Sequence, residues 1–319
     1  MLSRIAEALF WMGRYLERAD DTARMLDVQL QEMLDGPAID EALAARALYS
    51  VMGIEAPAGS ALDLRDVTAS LAFDRDQPSS IVVSLVGARD NASTIRDTIS
   101  SELWECLNAT YLALEQRAAT ARATGPHAFF GFARFVKDRT AMATGIAEGT
   151  MPRDDSWSFL LLGRSLERAD MTARLLSVRT GMAVNTSSWV GMLRSCSAHE
   201  AYLRSYGATV DAGRVAEFLL LDRLFPRSAY FALAEAEACL GRLGSDRTRL
   251  GTVDAAGRIL GRARGDLEYR RIREQMDELP ALLEALQVAC SQASAALAAR
   301  FFHRETGQAW RAEGHVVVR

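Results

Sequence analysis

Lysine is nearly absent from this chain of 319 residues. Of its 37 basic side chains, 36 are arginines and one is a lysine, Lys137. A catalytic Schiff base or a nucleotide-binding G-x-x-x-x-G-K loop would need that single residue, and no glycine-rich loop precedes it. The sequence therefore almost excludes both kinds of lysine chemistry. The cations that remain are planar guanidinium groups, which suit carboxylates and phosphates.

Cysteine and histidine are also scarce, with four of each. The cysteines form no C-x-x-C pair and the histidines form no H-E-x-x-H or Glu-x-x-His pattern. We therefore predict no metal site, no cofactor and reduced thiols in a cytoplasmic protein. Cys196 and His199 lie three residues apart on a predicted helix, which suits a nucleophile and its base only if a third group orients them. The alternative is a core cysteine beside a surface histidine.

The sequence has neither an excess of positive charge nor a long apolar run. The formal net charge is −4 and the pI about 5.7, which argues against binding to the phosphate backbone of a nucleic acid. The apolar N-terminal stretch carries Arg4, Glu7 and Arg14, a pattern typical of an amphipathic helix and not of a signal peptide. No apolar run approaches the length of a membrane span. We expect neither a nucleic acid nor a membrane as a partner.

Proline is scarce, at 7 residues, whereas Ala, Leu, Arg and Glu are abundant, and this composition favours helices over strands. Polar and apolar residues do not alternate over any sustained stretch. The predicted fold class is therefore all-α, a helical bundle. From caps and breakers, the predicted helices span about 3–34, 40–52, 66–73, 79–99, 101–123, 127–149, 156–181, 188–206, 211–221, 227–243, 252–274 and 278–301.

The chain contains an internal repeat. Residues 13–28, GRYLERADDTARMLDV, and residues 163–178, GRSLERADMTARLLSV, are identical at 12 of 16 positions. A second match, FDRDQPSS at 73–80 with LDRLFPRS at 221–228, follows at nearly the same offset. We therefore predict two pseudo-symmetric copies of a multi-helix unit of about 150 residues. The first copy is placed at 1–150, the second, packed on it, at 151–302, and a loose C-terminal tail at 303–319.

The repeated segment carries a charged stripe that is the same in both copies. Its members are Arg14, Glu17 and Arg18 in the first copy, and Arg164, Glu167 and Arg168 in the second. At helical spacing these side chains are neighbours. Because flanking apolar positions vary while the charges do not, we predict that the charges are buried and paired. An exposed ladder of ion pairs is the alternative.

Two roles are open for such buried charges. They join the two copies across a pseudo-twofold axis, or they line a polar cavity that holds a ligand. In the second case an arginine-rich cavity should lie where the two helices meet, with Arg14 and Arg164 near its mouth. Its ligand would be an acidic peptide or a phosphate-bearing small molecule.

A second polar stretch runs from Ser84 to Asn108. Arg89, Arg96 and Glu102 stand out in it, and they are further candidates for ligand binding or for a charged core. The alternative is that they form the polar face of an ordinary pair of amphipathic helices.

These motifs resemble the alpha-E family, a bacterial α-helical domain named for its Glu-Arg motif. The segments that carry the resemblance are WMGRYLERAD, QPSSI, ARDNASTIRDTISSELWECLN, GTMPRDDSWSFLLLGRSLERADMTARLL and FLLLDRLFPRS. The resemblance implies that Glu17-Arg18 and Glu167-Arg168 are the motif residues. It also implies partners, because family members are encoded beside, or fused to, ATP-grasp proteins of a circularly permuted type, often with transglutaminase-like neighbours. An ATP-grasp partner of this chain would act in trans.

Three functions follow as hypotheses. The leading one is a helical accessory or substrate-holding partner of an ATP-grasp peptide or amide ligase. The second is an enzyme that transfers or hydrolyses an amide with Glu17 or Glu167 as general base, although no nucleophile or metal constellation identifies a catalytic residue. The third is an oligomeric scaffold, which needs only apolar helix faces. A homo-oligomer stays open.

Overall fold

A computed structural model describes residues 1–35, 40–55, 62–124, 126–180, 186–244, 247–248, 251–252 and 254–302. Within these residues the chain is all-α, as predicted. Two short strands, β1 (Arg247–Thr248) and β2 (Gly251–Thr252), pair antiparallel. The predicted tail at 303–319 lies outside the described residues.

The described part of the first half contains six helices. They are α1 (Ser3–Asp35), α2 (Glu41–Val51), α3 (Leu64–Phe73), α4 (Ile81–Thr94), α5 (Ser101–Thr124) and α6 (Pro126–Thr150). Asp40, Asp63 and Ser80 begin α2, α3 and α4, and each side chain accepts a hydrogen bond from a backbone N–H in the first turn. Such a cap is worth about 1 kcal/mol.

The described part of the second half contains seven helices and a 3-10 turn at Ile272–Glu274. The helices are α7 (Asp155–Thr180), α8 (Thr186–Ser195), α9 (His199–Tyr206), α10 (Ala212–Leu221), α11 (Ala229–Arg242), α12 (Ala255–Glu268) and α13 (Leu279–Phe301). Asp211, Ser228 and Asp254 cap α10, α11 and α12 in the same way.

Three predicted helices were too long. The predicted helix at 188–206 is two helices, because Ser197 takes a left-handed conformation with φ of 51° between α8 and α9. The helices predicted at 79–99 and 252–274 end at Thr94 and Glu268. At both ends the backbone changes to hydrogen bonds between residues three apart, which closes a turn instead of extending the helix.

Helices α1 and α7 pack against each other at the centre of the bundle. Helix α1 also contacts α4 and α6 of its own half and α8 of the other half, while α7 contacts α11, α13 and the other half's α2. Each central helix therefore packs on helices of both halves.

The apolar core continues across the two halves. Leu9 and Phe10 of α1 share one cluster with Leu160 and Leu162 of α7, and Met171 of α7 completes a second cluster formed mainly by the first half. Burying a side chain of this size stabilises the fold by about 1.5–3 kcal/mol. The division into units at 1–150 and 151–302 stays a prediction, and residues from both sides of this boundary pack in one apolar core.

Among the described helices, α13 is long and apolar enough to cross a membrane, by length and composition alone. The sequence analysis missed it because alanines supply much of its hydropathy. A third of its apolar window is buried, and Leu283, Leu286 and Leu297 lie in the core. A core helix of this composition passes the same test.

Candidate functional site

The two central helices cross at a pair of glycines. A Cβ atom at Gly13 would lie closer than 3.0 Å to the carbonyl oxygen of Leu160, and one at Gly163 would be equally close to the carbonyl oxygen of Phe10. Only glycine permits backbones to approach this closely. The contact places the charged residues of the following turns of α1 and α7 against each other.

Each Glu-Arg motif pairs with the other motif. The carboxylate of Glu17 accepts hydrogen bonds from Nε and Nη2 of Arg168, at 2.7 and 2.9 Å. Glu167 accepts the same two bonds from Arg18, at 2.6 and 3.1 Å. Both pairs are bidentate, the strong form of a charge-assisted hydrogen bond. Each half therefore supplies the arginine of one pair and the glutamate of the other.

The arginine three positions before each glutamate adds a further contact. Nε of Arg14 donates to Glu167 at 2.5 Å, and its Nη1 donates to Ser294 at 2.8 Å. Arg164 approaches Glu17 at 3.4 Å and Glu148 at 3.6 Å. Both arginines therefore form ion pairs within the protein, and Nε of Arg164 has no hydrogen-bond partner among the described residues.

The prediction that the charges are buried and paired is confirmed. Glu17 is 4% exposed and Glu167 is 3% exposed. Burial alone would raise the pKa of Glu17, but the guanidinium groups of Arg168, Arg227 and Arg164 outweigh burial, and its pKa is lowered. The pKa of Glu167 is lowered in the same way, against burial, by Arg14 and Arg18. Both glutamates are therefore held as carboxylates.

Two further residues of this network, Asp21 and Arg227, were missed by the sequence analysis. Arg227 lies in the turn between α10 and α11, and its guanidinium contacts Glu17 at 3.1 Å and both Asp20 and Asp21 more closely. The three carboxylates lie within 4.8 Å of one another, close enough to hold a metal ion, and Arg227 supplies positive charge among them. Arg227 and Asp21 both stand at positions where the two repeats differ, so only a comparison of these differences could have indicated that they pair.

The pH dependence of stability should carry a contribution from Asp21. Burial raises the pKa of Asp21 to about 7. The nearby carboxylates of Glu17 and Asp20 add to this increase, and the positive charge of Arg227 opposes it. The unfolded chain loses this proton near pH 3.8. Between those values the folded state binds the extra proton, so stability falls as pH rises, by up to about 1.4 kcal/mol per pH unit.

Urea unfolding at pH 5 and pH 8 tests this contribution. Asp21→Asn keeps an oxygen for Arg227 but cannot ionise, so the variant should lose less stability between the two pH values than the wild type loses. Equal losses in the two proteins would contradict the assignment.

Each central helix also reaches a turn of the other half. Nη1 of Arg24, on α1, donates to Oγ of Ser197 at 2.6 Å. Arg174, on α7, lies so close to Gly53 that a Cβ there would be 2.9 Å from its Nη1. Both contacted residues have positive φ angles.

Three of the candidate residues lie apart from this network. Arg89 stacks on the rings of Trp104 and Tyr111, with its guanidinium carbon 5.3 and 4.9 Å from the ring centroids. Arg96 stacks on Trp104 at 4.6 Å. Glu102 is exposed in the first turn of α5. The structure therefore places Arg89 half-buried on α4, Arg96 exposed in the turn between α4 and α5, and Glu102 exposed on α5, and cation–π contacts orient the two arginines.

A cleft of about 500 Å³ lies between α1 and α6. Neither Arg14 nor Arg164 lines it, and both are buried in the ion pairs described above. Lys137 does line it and binds Asp27 at 2.6 Å. The lining residues are Arg24, Asp27, Gln31, Phe130, Arg134, Lys137, Asp138 and Ala141.

The thiol of Cys196 is a poor nucleophile. Cys196 is 3% exposed, and burial, together with the nearby charge of Asp21, raises its pKa to about 12. The thiolate is the reactive form of cysteine, so the geometry favours a core cysteine over a Cys–His nucleophile.

Comparison with known proteins identifies one family. Residues 1–302 match the Alpha-E family, described as a predicted alpha-helical domain with a conserved ER motif. Two similar proteins are the uncharacterized protein Rv2567 of Mycobacterium tuberculosis and the uncharacterized protein Mb2597 of Mycobacterium bovis. Each is 28% identical over 271 residues, which cover 76% of this chain and 30% of the relative. The chain thus spans less than a third of the length of these relatives. No solved structure matches.

Proposed function

The chain belongs to the Alpha-E family, and on that premise we propose that it is a helical accessory protein of an ATP-grasp peptide or amide ligase in the cytoplasm. The support is twofold. The Glu-Arg residues are used for packing α1 against α7, and the relatives carry this region as part of a much longer chain. A transglutaminase-like protein is a second proposed partner, by resemblance alone.

The bidentate pairing of the two glutamates with arginine is the observation that carries this proposal over an amide hydrolase or transferase. A general base works best when its pKa lies near the working pH. The pKa values of Glu17 and Glu167 are instead lowered, and bidentate arginines occupy both carboxylates. Neither carboxylate is arranged to accept a proton from a substrate.

We further propose that the two halves are diverged copies of one unit. The buried positions of α6 recur in α13 exactly 150 residues later, in addition to the reciprocal ion pairs. The matching buried pairs are Phe129 and Leu279, Phe132 and Leu282, Ala133 and Leu283, Val136 and Leu286, Thr140 and Cys290, Ala143 and Ala293, and Ala147 and Leu297.

For an acidic peptide or a phosphate-bearing ligand, we propose the cleft between α1 and α6. Its support is local charge, since Arg24, Arg134 and Lys137 line it together with Asp27 and Asp138. The arginines of the Glu-Arg network already have protein carboxylates as partners.

The ligase proposal is tested with a purified ATP-grasp protein from the same organism. We expect the two purified proteins to co-sediment, and the rate of amide formation, followed as ADP release and product mass, to rise when this chain is added. Lys137→Met should weaken that stimulation if the cleft holds the acidic substrate, whereas Arg134→Lys should preserve it. Absence of both co-sedimentation and stimulation would overturn the proposal and favour a scaffold.

A further inference from the structure

Two aspartates at matching positions of the two halves have different hydrogen-bond partners. Asp20 of α1 accepts hydrogen bonds from Thr140 at 3.1 Å and from Arg24 at 2.8 Å, and it also binds Arg227. Asp170 of α7, 150 residues later, accepts from Arg174 at 2.9 Å. Its other oxygen, Oδ1, is buried and has no hydrogen-bond partner among the described residues.

Substitutions between the halves account for the missing partners. In the matching segments, Ser79 stands where Arg227 stands, and among the recurring buried positions Cys290 stands where Thr140 stands. Met171 stands where Asp21 stands, and it packs in the apolar core. Asp170 therefore lacks both the guanidinium and the hydroxyl that satisfy its counterpart.

The two turns match closely enough for this comparison. Ser80 donates its hydroxyl to the carbonyl oxygen of Asp74 and caps α4. Ser228 donates to the carbonyl oxygen of Asp222 and caps α11 in the same manner. Ser79 and Arg227 therefore occupy matching positions in the two turns, each one residue before the capping serine.

The chemistry of the unsatisfied oxygen specifies a donor with positive charge. Asp170 is 9% exposed, and burial, together with the charge of Glu167, raises its pKa despite Arg174. A buried carboxylate oxygen without a donor is costly, and a charge-assisted hydrogen bond offsets that cost best. In the other half the matching position holds a guanidinium.

We propose that Asp170 anchors a binding site for a guanidinium group from outside the chain, held where Arg227 holds its own guanidinium in the other half. The ligand is a free guanidinium compound or the arginine of a short peptide. The side chain of Arg18, whose charge interacts with Asp170, is 19% exposed, and Ser79 is partly exposed. The site rests on the local match of the two turns and not on the ligase partner, so the two proposals are tested separately.

The experiment compares two ligands that differ only in charge. N-acetyl-arginine amide should raise the melting temperature of the wild-type protein, whereas N-acetyl-citrulline amide, its neutral analogue, should not. A free guanidinium, N-ethylguanidinium, forms the second arm and separates a small-molecule site from one that needs a peptide. A wild type that responds equally to the arginine and citrulline compounds would overturn the proposal and leave an ordered water as the partner of Asp170.

Two variants make the assignment specific. Ser79→Arg supplies the guanidinium internally, so it should raise the melting temperature by about 2–4 °C and weaken binding of the arginine compound at least tenfold. Ser79→Ala is the matched control and should respond like the wild type. If Ser79→Arg still bound the arginine compound as tightly as Ser79→Ala, the ligand would not occupy this position.

Discussion

Replacing Glu17 by glutamine should lower the free energy of unfolding by about 3–5 kcal/mol, the usual cost of removing one partner from a buried ion pair. The substitution keeps the size of the side chain and removes only its charge. The half-buried Arg168 would then lose the carboxylate that neutralises it, and Arg164 would keep only Glu148. Arg227 would keep only Asp20 and Asp21.

Urea denaturation measures this loss, with Glu115→Gln as the control. Glu115 pairs with Arg75 at the surface, where both side chains are about two-thirds exposed. An exposed pair contributes about 0–1 kcal/mol, so the control should change little. Similar small losses in the two variants would mean that the central network adds no more than a surface ion pair.

Gly163→Ala should be the second severely destabilising change, although alanine is the better helix former by about 1 kcal/mol. The added methyl group would meet the carbonyl oxygen of Phe10, which is backbone and cannot rotate away. Separating α1 from α7 would stretch the ion pairs that follow the crossing. Overpacking usually costs about 1–3 kcal/mol, and we expect the upper end here, with a larger loss when Gly13→Ala is added.

The matched control is Gly145→Ala, because a Cβ at Gly145 in α6 would meet no atom within 4 Å. This variant should gain about 0.5–1 kcal/mol of stability from helix propensity. Thermal melts of the wild type, Gly163→Ala and Gly145→Ala test this prediction. We expect the melting temperature to fall for Gly163→Ala and to rise for Gly145→Ala. A gain at both positions would show that α1 and α7 do not approach closely.

The sequence predicted that the Glu-Arg charges are buried and paired because the repeat displayed them twice, and it left open whether they join the two copies or line a cavity. Because Glu17 and Arg18 are identical to their counterparts Glu167 and Arg168, the sequence indicated that these side chains are held in one geometry. The same reasoning could not find Arg227 or Asp21, whose counterparts are Ser79 and Met171. Identity between the two segments does not indicate positions at which the halves differ. These positions hold Arg227 and Asp21, which make the charges of the site different in the two halves.

Other features had no local signal in the sequence. The break at Ser197 lies in RSCSAH, which contains neither glycine nor proline. The left-handed residue ends α8 through backbone hydrogen bonds from Ser197 to Arg194 and from Ala198 to Leu193, and Arg24 contacts its hydroxyl. Gly13 and Gly163 were visible as identical residues, but periodicity alone does not show which backbone a glycine meets. Arg89 and Arg96 looked like core charges because helical spacing does not distinguish a buried stripe from one stacked on surface aromatic rings.

The reciprocal packing of α1 and α7 has a consequence for synthesis on the ribosome. Glu17 and Arg164, the first of its cross-half arginines along the chain, are 147 residues apart, and translation at roughly 5–20 residues per second needs about 7–30 s to cover that distance. During this time the carboxylates of α1 have none of their cross-half arginines, and its apolar face lacks α7. Helix α1 must therefore stay hydrated or shielded by a chaperone until α7 has been made, so this early helix is fixed in place only after a much later one.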